Sequence, residues 1–344
     1  VIRNAPIRVL VVDDSLFMRA AIKKTLTERG NFEVVGQARD GNDAVAKTLE
    51  LKPDVITMDY NMPGKDGAAA VREIMQKRPT PVIMFSAHTR QGARETFEAL
   101  AAGAVDFVTK PHGEVSADLS DVADVLIEKL TIALRARPRI TAPIKAQKPS
   151  RPVQFTLEPV GPKVVIIGVS TGGPAALSVV IPSLPAKTRF ATIVVQHMPA
   201  KFTAALAERL NSFSAVRVRE ARDGDRPMPG VVLIVPGDRH LEVDAKGVFR
   251  LTDSPPVHGC RPAVDVTMKS AARVFGRRAI GVIMTGMGKD GAAGMTAIKR
   301  ADGQTLAQDR DTSVIFGMPR AAIAAGAVDE VVALEELAGR LRYM

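Results

Sequence analysis

Lys163–Leu177 reads KVVIIGVSTGGPAAL. An apolar, β-branched run gives way to a glycine-rich turn, and Pro174 then opens a helical segment, where the N–H that proline lacks would be unpaired in any case. This strand, turn and helix predict an α/β layer whose helix-start amides can hold an anion. Further strands are expected at Thr192–Gln196, Val231–Val235, Ala279–Met284 and Val328–Val332. Residues 163–344 therefore predict a doubly wound, mostly parallel sheet. Toward the N-terminus the same alternation returns at Ile7–Val12, Val34–Ala38, Val55–Met58, Val82–Ser86 and Ala104–Val108. Residues 1–134 thus predict five βα units around a five-stranded parallel sheet, with ligands bound beyond the carboxyl ends of its strands.

Between the two lie residues 135–162. From Arg135 to Lys163 seven cations face one anion, Glu158, so most of the formal net charge of +10 sits here together with six prolines. That composition predicts a semi-extended, basic linker. A cationic stretch also offers a contact surface, yet no compact helix-turn-helix with a basic recognition helix accompanies it, and no nucleic-acid partner is expected. A length of 344 residues suits two domains. With 46% hydrophobic and 24% charged residues the chain is neither disordered nor a membrane protein in composition. No apolar run reaches the roughly 20 residues of a spanning helix, so no membrane insertion is expected. Val1–Pro6 lacks the apolar core of a signal peptide, and the lone Cys260 can form no internal disulfide, which points to the cytoplasm.

In the first domain Asp13 and Asp14 follow the first strand, Asp59 ends the third, Ser86 the fourth, and Lys110 follows the fifth. All five converge on one rim. Carboxylates gathered there repel one another unless a cation joins them, and Mg2+ with its octahedral oxygen shell suits Asp13, Asp14 and Asp59. Asp59 can then attack a phosphoryl group, while Lys110 neutralises its charge and the Ser86 hydroxyl hydrogen-bonds to it. Pro111 hints at a fixed turn, cis or trans, that aims the lysine. VLVVDDS, ITMDYNMPGKDG, MFSAH and DFVTKP resemble the receiver domains of two-component signalling, a flavodoxin-like fold. The resemblance implies that Asp59 is the phosphorylated residue, Asp13 and Asp14 the acidic pair, and Phe107 the aromatic whose rotation accompanies switching.

In the second domain Gly168–Gly173 spells GVSTGG, so Ser170 stands where a dinucleotide fingerprint needs its middle glycine. The next strand ends in Gln196-His197, with no acid for a ribose. A serine on a sharp strand-to-helix turn is instead exposed for attack on a carbonyl, although this is not the GxSxG elbow. Its base must come from His197, His240 or His258. His197 directly follows a strand and can share a rim with Ser170; His240, in PGDRH, is the reserve. Asp290, in TGMGKD, is the candidate to orient the imidazole, or else a helix N-cap. The glycines at 286 and 288 allow close approach, so the Met287 amide is a candidate oxyanion donor, unless that turn is merely flexible. Arg261 and Met318–Arg320 either shape the cleft or pack it.

IGVSTGG, QHMP, PGDRH, RPAVDV, TGMGKDGAAGM and FGMPRAAI, in this order behind a receiver, resemble the chemotaxis protein-glutamate methylesterase (CheB) family across essentially the whole chain. The resemblance implies a serine hydrolase with Ser170 as nucleophile, His197 as general base and Asp290 as its orienting partner, needing no cofactor for ester hydrolysis. Its implied substrates are γ-glutamyl methyl esters on the cytoplasmic helices of methylated chemoreceptors, released as methanol, with glutamine deamidation as a second activity. A chemotaxis histidine kinase is the implied phosphodonor, and the unphosphorylated receiver is expected to restrict access to Ser170. Two departures stand out: Val169 where alanine is more usual, and Cys260 where histidine is common. The competing class is a receiver-regulated, non-catalytic partner-binding protein whose STGG turn merely holds an anion.

Overall fold

Short β-branched runs with almost no polar interior positions need cover on both faces, and both halves of the chain supply it with helices. The structure is a computed structural model that describes residues 5–87, 89–111, 119–134, 136 and 161–344, without the side chain of Asp121. The linker expected at 135–162 falls almost wholly outside the described residues. The chain divides into two compact units, Val1–Pro143 and Ile144–Met344.

In the first unit β1 (Ile7–Val12), α1 (Leu16–Arg29), β2 (Phe32–Ala38), α2 (Gly41–Leu51), β3 (Val55–Asp59), α3 (Gly67–Lys77), β4 (Val82–Ser86), α4 (Arg90–Ala101), β5 (Asp106–Thr109) and α5 (Ser120–Ala133) follow in turn. The strands form one parallel sheet in the order β2-β1-β3-β4-β5. Every residue of β3 and β4 is buried. Helix starts follow from local chemistry: the Ser15, Asp40, Asp66 and Thr89 side chains each accept from a first-turn backbone N–H of α1 to α4. Each such cap contributes about 1 kcal/mol. Val12 pairs with Met58 where the sheet changes direction of growth, so Asp13, Asp14 and Asp59 emerge side by side at the switch point.

In the second unit β6 (Lys163–Val169), α6 (Gly173–Val180), β7 (Phe190–Gln196), α7 (Phe202–Phe213), β8 (Arg217–Glu220) and β9 (Val231–Ile234) build one side of a sheet. An antiparallel hairpin of β10 (His240–Val243) and β11 (Phe249–Thr252) comes next. α8 (Val264–Phe275) then returns the chain to the other side, where β12 (Ala279–Ile283), α9 (Ala292–Arg300), β13 (Gln304–Gln308), α10 (Met318–Ala324), β14 (Glu330–Val332) and α11 (Leu337–Arg342) complete the unit. The order is β14-β13-β12-β6-β7-β9-β8, with every neighbouring pair parallel. Ile166, Ile193, Val195, Leu233, Phe249 and Met268 are among its core; truncating Ile166 to alanine is expected to cost roughly 2–5 kcal/mol. Because the sheet grows outward from β6 in both directions, its switch point lies between β6 and β12.

The sheet holds strands that the sequence pattern does not announce. β13, QTLAQ, is polar at three of its five positions, and two of these are paired: Gln308 Oε1 accepts from Thr285 N at 2.8 Å and Thr305 Oγ1 donates to Asp329 Oδ2 at 2.8 Å. β8, RVRE, carries charges as edge strands do. The strand expected at Ala104–Val108 begins at Asp106, and that expected at Val328–Val332 shortens to Glu330–Val332. Among the described residues no helix is long and apolar enough to cross a membrane.

Candidate functional site

The β6–β7 ladder sets Val169 opposite Gln196. Ser170 and His197 are therefore the first residues past the ends of adjacent parallel strands, which lie about 4.8 Å apart. His197 N donates to Val169 O at 3.1 Å, and Ser170 N donates to Thr285 O at 3.0 Å across the switch point. The serine turn is thus pinned from both sides. Gly172, at φ +78°, supplies the left-handed conformation that swings the chain into α6. Gln196 Nε2 donates to Ser170 O at 3.0 Å and to His197 O at 3.1 Å, so one carboxamide ties the two segments together. A Cβ at Gly286 would lie 2.7 Å from Ser170 Cβ and 2.4 Å from Met318 Sδ, so only glycine lets this turn pack against the serine.

His197 Nε2 lies 2.8 Å from Asp290 Oδ2. The same oxygen accepts from Val264 N at 2.7 Å, while Oδ1 accepts from Asp265 N and Gly291 N, both at 2.9 Å. Asp290 is not the N-cap of α9, a position held by Gly291; its side chain instead meets the first amides of α8. Burial alone would raise the Asp290 carboxyl, but the hydrogen bond and charge of His197 and the two α8 amides hold it below the usual carboxylate range. Burial alone would lower His197, but the Asp290 hydrogen bond, followed by one with Cys260, pushes the imidazole up to about 9.

The other two candidate histidines meet different partners. His240 is fully buried; its Nδ1 accepts from Ala263 N at 3.2 Å and its Nε2 meets Pro255 O at 3.2 Å, which engages both nitrogens of a neutral ring. His258 Nε2 lies 2.9 Å from Asp265 Oδ2. Met287 is 38% exposed and follows Gly286, the residue packed on Ser170. Arg261 donates to the carbonyls of Asp253 and Ser254 at 3.0 and 3.2 Å, and Met318 is buried against Gly286. Gln196, Cys260 and Asp265 touch Ser170, His197 and Asp290 respectively, with no role legible in the local sequence pattern. Their signal was slight, a place inside QHMP or in and beside RPAVDV.

In the first unit Lys110 Nζ bridges Asp13 Oδ2 and Asp59 Oδ2 at 2.9 Å each, and Lys110 N donates to Ser86 O at 2.7 Å. Asp13, Asp14 and Asp59 offer oxygens within 4.8 Å of one another, with Asp13 and Asp59 buried and Asp14 exposed. Burial pushes the Asp59 carboxyl up to about 6 and raises Asp13 as well, despite the opposing Lys110 charge. Burial would lower Lys110 in turn, but the Asp59 and Asp13 carboxylates hold it above its ordinary value. Ser86 Oγ donates to Gly92 O at 3.1 Å and accepts from Thr96 Oγ1 at 2.6 Å, both in α4. Phe107 is buried with Lys129 Nζ 5.1 Å from its ring centroid. The Lys110–Pro111 bond is not cis; among the described residues Arg261–Pro262 is. Lys110 is aimed instead by its backbone hydrogen bond and its two ion pairs.

The family model for CheB methylesterase matches residues 165–341, and that for the response regulator receiver domain matches residues 9–118. The chain is 48% identical over 345 residues to the protein-glutamate methylesterase/protein-glutamine glutaminase of Symbiobacterium thermophilum, covering 97% of this chain and 95% of the relative. It is 44% identical over 344 residues to the protein of the same name from Pyrococcus abyssi, covering 96% and 91%. The crystal structure of the Thermotoga maritima CheB methylesterase catalytic domain matches with a TM-score of 0.52 at 43% identity, covering 53% of this chain and 98% of that one. With a family model spanning half the chain and relatives spanning nearly all of it, the chain belongs to the CheB methylesterase family, its methylesterase domain preceded by a response regulator receiver domain.

Proposed function

We propose that this protein is a serine hydrolase that cleaves γ-glutamyl methyl esters on the cytoplasmic helices of chemotaxis receptors and deamidates receptor glutamines at the same site. The carrying observation is the His197–Asp290 pair, 2.8 Å apart, with His197 and Ser170 the first residues beyond the paired ends of β7 and β6. With Nε2–H given to Asp290, Nδ1 is the nitrogen left to take a proton. As Ser170 Oγ attacks the ester carbonyl its proton passes to His197, and Asp290 stabilises the imidazolium without itself being protonated. The carbonyl oxygen becomes an oxyanion, for which the Met287 amide is the proposed donor. Collapse expels the methoxy group, which takes the proton from His197 and leaves as methanol. Water, deprotonated by His197, then cleaves the acyl-serine, freeing the glutamate and restoring Ser170. A glutamine follows the same path with ammonia leaving, and neither reaction uses a cofactor.

Control is assigned to the receiver, in a chain divided into residues 1–134 (receiver), 135–162 (linker) and 163–344 (methylesterase). Asp59 is the phospho-acceptor and a chemotaxis histidine kinase the donor, which sets the protein in the cytoplasm. Asp13, Asp14 and Asp59 fit Mg2+, because three hard oxygen donors lie within reach of one ion and the two buried ones are costly to ionise without a cation. Bound there, Mg2+ supplies charge neutralisation for the phosphoryl oxygens. Lys110 can transfer its contacts from Asp13 and Asp59 to the phosphoryl group. Ser86 must leave Thr96 and Gly92 to reach it, which loosens its hold on α4 and frees Phe107 to turn. Phosphate thereby favours one of two receiver states. The test is methanol release from methylated receptor with and without a small-molecule phosphodonor and Mg2+. Release that rises with phosphodonor in the native protein but not in Asp59→Ala supports the reading; no methanol from methylated receptor under either condition rejects it.

A further inference from the structure

Val257 and Cys260 close a tight turn, with Val257 N donating to Cys260 O at 3.0 Å and Cys260 N to Val257 O at 2.9 Å. The two residues at its tip, His258 and Gly259, both adopt positive φ, +54° and +73°. Histidine is among the few non-glycine residues that adopt this left-handed conformation comparatively readily. That turn presents Cys260 to the His197 imidazole and His258 to Asp265, with Nε2 2.9 Å from Oδ2. His258 Nε2 is also 4.0 Å from Asp290 Oδ1.

Asp265 is 2% exposed and stands in the first turn of α8, where a carboxylate is favoured by the helix dipole. Its backbone N–H donates to Asp290 Oδ1 at 2.9 Å, and its Oδ1 accepts from Gly294 N at 2.6 Å. One residue therefore grips the Asp290 side chain and also the helix that begins just after Asp290. Packing is close there: a Cβ on Gly294 would lie 2.5 Å from Met268 Cβ and 3.3 Å from Asp265 Oδ1. An uncharged acceptor would join two helices as well. A second carboxylate buried this near Asp290 costs electrostatic energy unless a cation accompanies it. His258 faces that carboxylate, and Lys269 Nζ approaches it at 3.9 Å.

We propose that Asp265 is a positioning residue for the hydrolysis, acting through Asp290 on His197, and that His258 holds the Asp265 carboxylate in place. The inference rests on the reading of Ser170, His197 and Asp290 given above. Asp265 fixes where the Asp290 carboxylate meets the imidazole, and its charge favours the imidazolium formed when Ser170 gives up its proton. His258 orients the Asp265 carboxylate through the 2.9 Å contact of its Nε2 with Oδ2.

The test uses the full chain and methyl-labelled receptor cytoplasmic fragment, comparing native protein with Asp265→Asn, His258→Ala, His258→Asn and Ser170→Ala. Asp265→Asn keeps the shape but removes the charge. We expect it to lower kcat roughly 10- to 100-fold with KM little changed, and to move the acid limb of the kcat/KM profile to lower pH. His258→Ala should lower kcat as well, and His258→Asn, which retains a donor toward Asp265, should recover part of the loss. A folded Asp265→Asn with native kcat and an unmoved acid limb overturns the inference, as does a change confined to KM. Should Asp265→Asn not fold, the partly exposed His258 decides alone: native kcat in His258→Ala overturns the proposal. Native methanol release in Ser170→Ala would instead reject the underlying triad, and so marks a different failure.

Discussion

Val169 pairs with Gln196 across the β6–β7 ladder, and that register by itself puts Ser170 and His197 on the same rim. A slip of one residue would send every side chain of β7 to the opposite face. His240 lies outside this arrangement, sealed in the core with both ring nitrogens engaged. His197→Ala is therefore expected to lower turnover on the order of 10⁴-fold or more. His240→Ala should leave turnover within about tenfold and instead cost roughly 1–3 kcal/mol of stability from the unpaired Ala263 amide. Steady-state methanol release and thermal melts of the two variants separate the cases, and a reversed ranking would give His240 the role of base.

A general base must be neutral to accept the Ser170 proton, and His197 is pushed up to about 9 by Asp290 and Cys260 against the effect of burial. Activity should therefore fall as pH drops through a value well above the ordinary 6.5 of histidine. Cys260→Ala removes one of the raising partners and should shift the acid limb of kcat/KM to lower pH. The linked stability has the opposite sense: the pair's contribution is fully present below about 6.5 and is lost as pH rises through about 9. An acid limb at 6.5 that Cys260→Ala leaves in place would contradict this.

Asp59→Ala should incorporate no phosphate from a small-molecule donor. Asp13 and Asp14 remain in that variant, but the end of β3 no longer carries a carboxylate. Ser86→Ala, by contrast, should still be labelled while responding less in methanol release. Stable phosphate in Asp59→Ala, detected with isotopic donor, would move the acceptor elsewhere.

Removing the receiver tests the sign of control. Residues 135–162 are Pro-rich and cationic in sequence, and the proposed role for such a composition is a tether that raises the effective concentration of one domain at the other. The fragment 161–344 is accordingly expected to release methanol faster than the unphosphorylated full chain. A slower fragment, shown to be folded by circular dichroism, would replace inhibition with activation by the receiver.

Strand ends are where the sequence is most informative. Ser170, His197, Asp59 and Lys110 each terminate or follow a β-branched run, and parallel α/β topology alone then assigns them to a rim. Asp290 was legible by the same logic, but its hold on the first amides of α8 was not, because that contact joins segments 25 residues or more apart through side-chain geometry. Gln196 and Cys260 escape for a similar reason: nothing local distinguishes a glutamine that clamps two carbonyls or a thiol that meets an imidazole. Ser86 was placed correctly at the end of β4, yet its engagement with Thr96 and Gly92 depends on how α4 packs. Strands β8 and β13 lack an apolar run, and only their pairing partners make them strands.

The most direct test of the account is methanol release from methylated chemoreceptor by native protein and by Ser170→Ala, each with phosphodonor and Mg2+. Native protein is predicted to release methanol in proportion to receptor methyl groups lost, and a folded Ser170→Ala to lose that activity by several orders of magnitude. Methanol release at the native rate from folded Ser170→Ala would contradict hydrolysis by Ser170.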